Sequence, residues 1–129
     1  MANVKVTFDR IEVDDDGDPG VTDGKGDFHY RFSVNGSQVT ARSSANPLAV
    51  GNGGVINLNA SRSVELRPDQ DLVVSGYLAD KDQGTSGADE IDDFSHTYDQ
   101  SENWGDGDHD VALVDKRMNC TLHYNVTAG

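Results

Sequence analysis

Phe28, Tyr30, Phe32 and Val34 alternate with His29, Arg31 and Ser33, and Asn35-Gly36 follows at once. That two-residue period places four large apolar side chains on one face of a strand. Asn-Gly accepts the positive φ angles of a two-residue hairpin turn, so Ser37 to Arg42 is predicted to return antiparallel. A chain holding this segment needs a sheet and a second layer to cover its apolar face.

The same period recurs along the 129 residues, and no long window repeats at helical spacing. Asn3 to Val13 reads as a strand with Val4, Val6 and Phe8 on one face. Ile11 and Val13 have the other parity, which implies a bulge near Asp9-Arg10. Val55 to Leu66 is extended, with an interruption expected near Ala60-Ser61. Leu72, Val74, Gly76 and Leu78 alternate, and Gly76 marks a bulge or a close backbone approach. Ile91 to Tyr98, His109 to Val114 and Met118 to Val126 complete the set. Residues 43–54, with Pro47 and three glycines, read as a loop. The expectation is a single all-β domain, an eight-stranded antiparallel Greek-key β-sandwich. A hydrophobic fraction of 35% suits sheets that bury one face each.

The connections carry the charge. Residues 14–27 hold six aspartates, four glycines and a proline, and residues 80–90 hold Asp80, Asp82, Asp89 and Glu90. Over the whole chain there are 19 Asp against 4 Glu, and the formal net charge is −13. Charged helices would favour Glu, whereas Asp suits turns and short-armed oxygen ligation. The charge excludes nucleic-acid binding, which needs Lys and Arg. It also opposes unaided binding to an anionic membrane.

Successive antiparallel strands put successive connections at alternate ends of a sandwich. Residues 14–27, 43–54 and 80–90 then share one end with Lys116-Arg117, and the Asn35-Gly36 turn and the Trp104 loop share the other. Crowded carboxylates repel unless something neutralises them. Calcium takes six to eight oxygen ligands, from carboxylates, carbonyls and water. Asp80 and Asp82 fall on one side of an extended backbone, and Asp89 comes back from the far side of the loop. These spacings point to a calcium clamp.

With the Asp80-Lys81-Asp82 pair, the Asp89-Glu90-Ile91 return and the aspartates ahead of the strand from Phe28, the chain resembles a C2 domain. The acidic loop after the first strand resembles the circularly permuted, type II order. The resemblance implies calcium between the first and third loops of that end. Asp80, Asp82 and Asp89 would be ligands, with the carbonyl of Lys81. From the first loop, Asp14 or Asp16 would stand near the start and Asp23 or Asp27 near the end, with Asp18 between them; Asp16 and Asp27 are preferred. The implied partners are calcium and a phospholipid membrane surface or another protein. The alternative is a sandwich that calcium stabilises for protein or carbohydrate binding.

An EF-hand is excluded, because a loop starting at Asp14 would have Pro19 at its sixth position and Lys25 at its twelfth. Asp106-Gly107-Asp108-His109-Asp110 resembles a calcium-repeat fragment but occurs once and reads as a solvated loop at the opposite end. Trp104 is expected to pack on the sheets rather than stand exposed. Val21, Leu48 and Val50 read as loop packing, with bilayer insertion as the alternative. The four histidines lack transition-metal spacing, and neither Ser95-His96 nor Cys120 sits in a nucleophile motif, so no enzyme is expected. One cysteine allows no internal disulfide. With no apolar leader in the first residues, the expected compartment is cytoplasmic.

Overall fold

The alternating segments do become strands. The computed structural model describes residues 1–16, 25–80, 90–115 and 118–128. They form β1 (Ala2–Asp16), β2 (Lys25–Val34), β3 (Ser37–Arg42), β4 (Leu48–Gly51), β5 (Val55–Leu66), β6 (Leu72–Asp80), β7 (Glu90–Tyr98), β8 (Gly107–Asp115) and β9 (Met118–Ala128). A short helical turn, Gln100–Gly105, links β7 to β8. One sheet has the order β5-β1-β9-β8; the other has β3-β2-β6-β7, with β4 also on β2. All pairings are antiparallel.

The described residues hold nine strands where eight are expected. β3 pairs with residues 30–34 of β2 and β4 with residues 25–28, so the two lie in line along one edge. Leu48 and Val50 are half-buried and pack against the core. Four residues between Pro47 and a glycine-rich turn are too few to show a period in sequence.

The core lies between the sheets. Val4, Val6 and Phe8 point inward, and Ile11 and Val13 do so from the other parity. The register slips between Phe8 and Arg10 against both β5 and β9, as the parity change requires. β5 is continuous where a break at Ala60-Ser61 is expected; the irregularity falls just before, where Phe8 faces Ala60 and Arg10 faces Asn57. Asn59 takes φ +47° there. Phe8 stacks on Phe32 at 5.4 Å between centroids, and Phe32 stacks on Tyr30 at 5.6 Å. Rings from both sheets thus form one slab across the core.

The hairpin turn has φ +47° at Asn35 and +81° at Gly36. Asn35 also binds the far strand: its N–H donates to the Val73 carbonyl at 2.9 Å and its Oδ1 accepts the Val73 N–H at 2.7 Å. Trp104 is only 6% exposed, and its indole N–H donates to the Gln70 carbonyl at 2.9 Å. It closes the core at that end, as expected of a large aromatic surface in a polar chain.

The Asp106–Asp110 segment is strand from Gly107, not loop. Alternation sends Asp108 and Asp110 outward, where Asn125 and His123 of β9 meet them. His109 turns inward, stacks on Tyr124 and lies 3.4 Å from the Tyr98 hydroxyl. Tyr98 and Tyr124 join their hydroxyls at 2.6 Å. Burial first, and then that hydrogen bond, pushes the Tyr124 phenol above its ordinary range.

Candidate functional site

Strand direction decides which ends meet. Asp16 and Asp115 both pair with Met118, and Asp80 pairs with Phe28 on one side and Glu90 on the other. Lys25 pairs with Gly51, and Glu12 with Val55. The end of β1, the start of β2, the end of β6 and the start of β7 therefore lie at one end of the sandwich. This is the convergence the alternation predicts. The turn after β4 crosses between the sheets there: Gly53 donates its N–H to the Val13 carbonyl at 2.7 Å, and Val13 donates to the Gly54 carbonyl at 2.9 Å.

Asp80 is the notable residue of this end. It continues the inward register of Leu72, Val74, Gly76 and Leu78, yet it is a carboxylate and only 3% exposed. Its Oδ1 accepts the backbone N–H of Asp27 at 2.9 Å. A buried carboxylate needs such donors, because losing hydration disfavours its charged form. The contact joins the last residue of the second acidic stretch's strand to the last residue of the first stretch.

The other expected ligands are placed as follows. Asp14 is exposed, at a register slip between Val13 and Asp15. Asp16 closes β1 opposite Met118. Asp27 is half-buried beside Ala49 of β4. Asp18, Asp23, Asp82 and Asp89 lie outside the described residues, with Val21, Lys81, Lys116 and Arg117. Among the described residues, no three His, Cys, Asp or Glu side chains converge closely enough to hold a metal ion. The chemistry of Asp80 and Asp27 suits a hard cation, but two carboxylates fall short of the oxygens calcium needs. A complete site would take further oxygens from 17–24 and 81–89.

Two aspartates that the motif reading passes over hold this end together. Asp115, the last residue of β8, accepts the Ile91 N–H on Oδ2 at 2.9 Å. Asp92 of β7 accepts the Val114 N–H on Oδ2, also at 2.9 Å. Beside these contacts, Ile91 and Val114 are exposed large apolar side chains.

The outer face of β1, β8 and β9 carries a different polar set. A shallow groove there is lined by Thr7, Arg10, Asp108, Asp110, His123 and Asn125, among others. Arg10 pairs there with Asp9 and Glu12, and the His123 ring nitrogens lie against Asp110 and Glu12. Hydrogen bonds to Asp9 and then Glu12 push the Arg10 guanidinium further up. Cys120 is buried in the core. No helix among the described residues is long and apolar enough to cross a membrane.

No family model matches the sequence, and no curated protein matches it. Among solved structures the chain is similar to C2 domains. One described as the structure of a C2 domain shares 12% identity over all of this chain and 99% of its own, with a TM-score of 0.47. A C2 domain protein from Ramazzottius varieornatus shares 14% over 98% of this chain and 88% of its own, also at 0.47. The C2A domain of a plant extended synaptotagmin 1 shares 13% over 98% and 93%, at 0.45. The strand pairing by itself makes the described residues an antiparallel β-sandwich of two sheets.

Proposed function

We propose that the chain is a non-enzymatic calcium-binding module, with ions held between the Asp-rich stretches at one end of the sandwich. The observation that carries this reading is the buried Asp80 carboxylate, on the inward register at that end, holding the backbone of Asp27. Asp80, Asp82 and Asp89 would supply ligands from the 80–90 side and Asp16 and Asp27 from the other, with Asp14, Asp18 and Asp23 as further oxygen donors. Calcium would supply positive charge to a chain of net charge −13 and take its oxygens from these stretches.

Melting in calcium and in chelator tests this. A hundredfold excess over the dissociation constant stabilises by about 2.7 kcal/mol. An upward shift in melting temperature that is lost in Asp80→Asn/Asp82→Asn is expected. Identical melts of the wild type with millimolar calcium and with chelator would sink the proposal.

The same end supports calcium-dependent docking on a phospholipid surface. The favouring observation is the exposed pair Ile91 and Val114. Sedimentation with vesicles of phosphatidylserine and phosphatidylcholine should carry the protein down with calcium and not with chelator. Equal recovery in both supernatants would remove membrane docking and leave calcium binding standing.

A further inference from the structure

β7 and β8 are edge strands of opposite sheets. Among the described residues no backbone ladder joins them: β7 pairs with β6, and β8 with β9. A sandwich open along such a seam leaves the two edges free to separate. Here two carboxylates cross it in opposite directions, Asp115 of β8 to the Ile91 N–H and Asp92 of β7 to the Val114 N–H, each at 2.9 Å. Charge-assisted bonds of this kind are stronger than those between neutral groups.

Their position matters more than their number. Ile91 is the second residue of β7, where the chain returns to the sheet after 81–89. Its strand is fixed on one side by the ladder to β6, where Ala79 faces Ile91 and Asp80 faces Glu90. On the other side Asp115 holds its N–H. The departing strand ends on Asp80, anchored to Asp27. The returning strand begins beside Asp115. Both stems of the second acidic stretch are thus pinned by a carboxylate bonded to backbone.

We infer that Asp115, with Asp92 as its reciprocal, is a positioning residue for the calcium end: it ligates no ion but fixes where the chain returns from 81–89. The inference rests on the proposed calcium binding. Ligands held in place before the ion arrives bind it more tightly, because less ordering remains to be done on binding. Residues that orient metal ligands typically affect affinity by about 10–100-fold.

Two neutral variants separate positioning from charge. Asp115→Asn and Asp115→Ala lose the same charge, but only asparagine keeps an oxygen that can accept the Ile91 N–H. Calorimetric calcium titration should give roughly tenfold weaker binding for Asp115→Ala than for Asp115→Asn. In the calcium-free protein, hydrogen exchange at the Ile91 amide should quicken in the alanine variant and stay near wild type in the asparagine variant. Asp92→Ala and Asp92→Asn, read at the Val114 amide, repeat the comparison on the other arm, and the single Trp104 reports that each variant is folded. Equal affinities for Asp115→Ala and Asp115→Asn, with wild-type binding intact, would overturn the inference alone. A wild type that takes up no calcium would overturn the calcium reading and this inference with it.

Discussion

Gly76→Ala is the substitution whose cost the structure defines best. Gly76 sits mid-strand in β6, opposite Phe32 on β2 and Phe94 on β7. The two rings approach to 6.2 Å between centroids, one from each neighbouring strand. A Cβ on residue 76 would lie 2.3 Å from the Arg31 carbonyl oxygen and 2.4 Å from Cδ1 of Phe32. The ring can turn a little; the carbonyl belongs to the β2–β6 ladder and cannot move without breaking it. Overpacking a core costs typically about 1–3 kcal/mol, and a backbone obstacle puts this site toward the upper figure. For a chain of this size 1 kcal/mol corresponds to roughly 3–5 °C, so the melting temperature should fall by about 10 °C. In urea, with a slope of about 1–3 kcal/mol per molar, the midpoint should drop by about 1 M or more, followed by fluorescence of the single tryptophan. Where a Cβ does fit, Gly→Ala has the opposite sign and stabilises by about 0.4–1 kcal/mol by restricting the unfolded chain. An unchanged or raised midpoint would refute the close-approach reasoning. The background Phe32→Leu refines it. The carbonyl remains in the way, so Gly76→Ala should still destabilise there; a cost that vanishes would assign the clash to the ring alone.

Three further outcomes follow from the same packing. Asp80→Ala removes the acceptor of the Asp27 N–H and should lower calcium-free stability by about 1–3 kcal/mol, whereas Asp80→Asn keeps an acceptor and should cost less in a urea titration. Tyr124→Phe deletes one hydroxyl of the Tyr98–Tyr124 pair and should cost about 1 kcal/mol by the same assay. The Tyr124 and Tyr30 phenols are both raised above 10, chiefly by burial, so the stability they contribute is whole below pH 10 and drains away as pH rises beyond it. Absorbance titration at alkaline pH should show these two ionising late, with unfolding; ionisation of all four tyrosines in one step near 10 would contradict their burial.

Most strands are legible because a period of two survives in any run of six or more residues. β4 escapes detection with only Leu48, Ala49, Val50 and Gly51 to display it. The bulge in β1 is legible because it shifts apolar parity between Phe8 and Ile11. The matching irregularity in β5 is misplaced by a residue or two, since the positive φ of Asn59 leaves no mark on the hydrophobic pattern. The Asp106–Asp110 segment misleads by composition: Asp and Gly suggest a loop, but β9 alternates beside it and recruits it as a partner. Asp92 and Asp115 are invisible to local reasoning. Their partners lie 22 and 24 residues away on the edge of the other sheet, and nothing near either in sequence marks it as an acceptor.

Charge density alone does not tell an acid on the outer face of a sheet from one turned inward; register does. Asp93, on β7, is exposed and faces Tyr77 on the outward side of the same sheet. Asp80 stands three residues along β6 from Tyr77, on the inward face, after four positions given to Leu72, Val74, Gly76 and Leu78. Turning a carboxylate inward forfeits hydration that an outward place would keep. The Asp27 N–H offsets part of that loss. The same geometry explains why the stems matter. An inward acid at the end of a core strand has little freedom to adjust, so the proposed calcium binding asks that the returning chain be held as firmly. Asp115 and Asp92 give the returning strand that hold, from the opposite sheet.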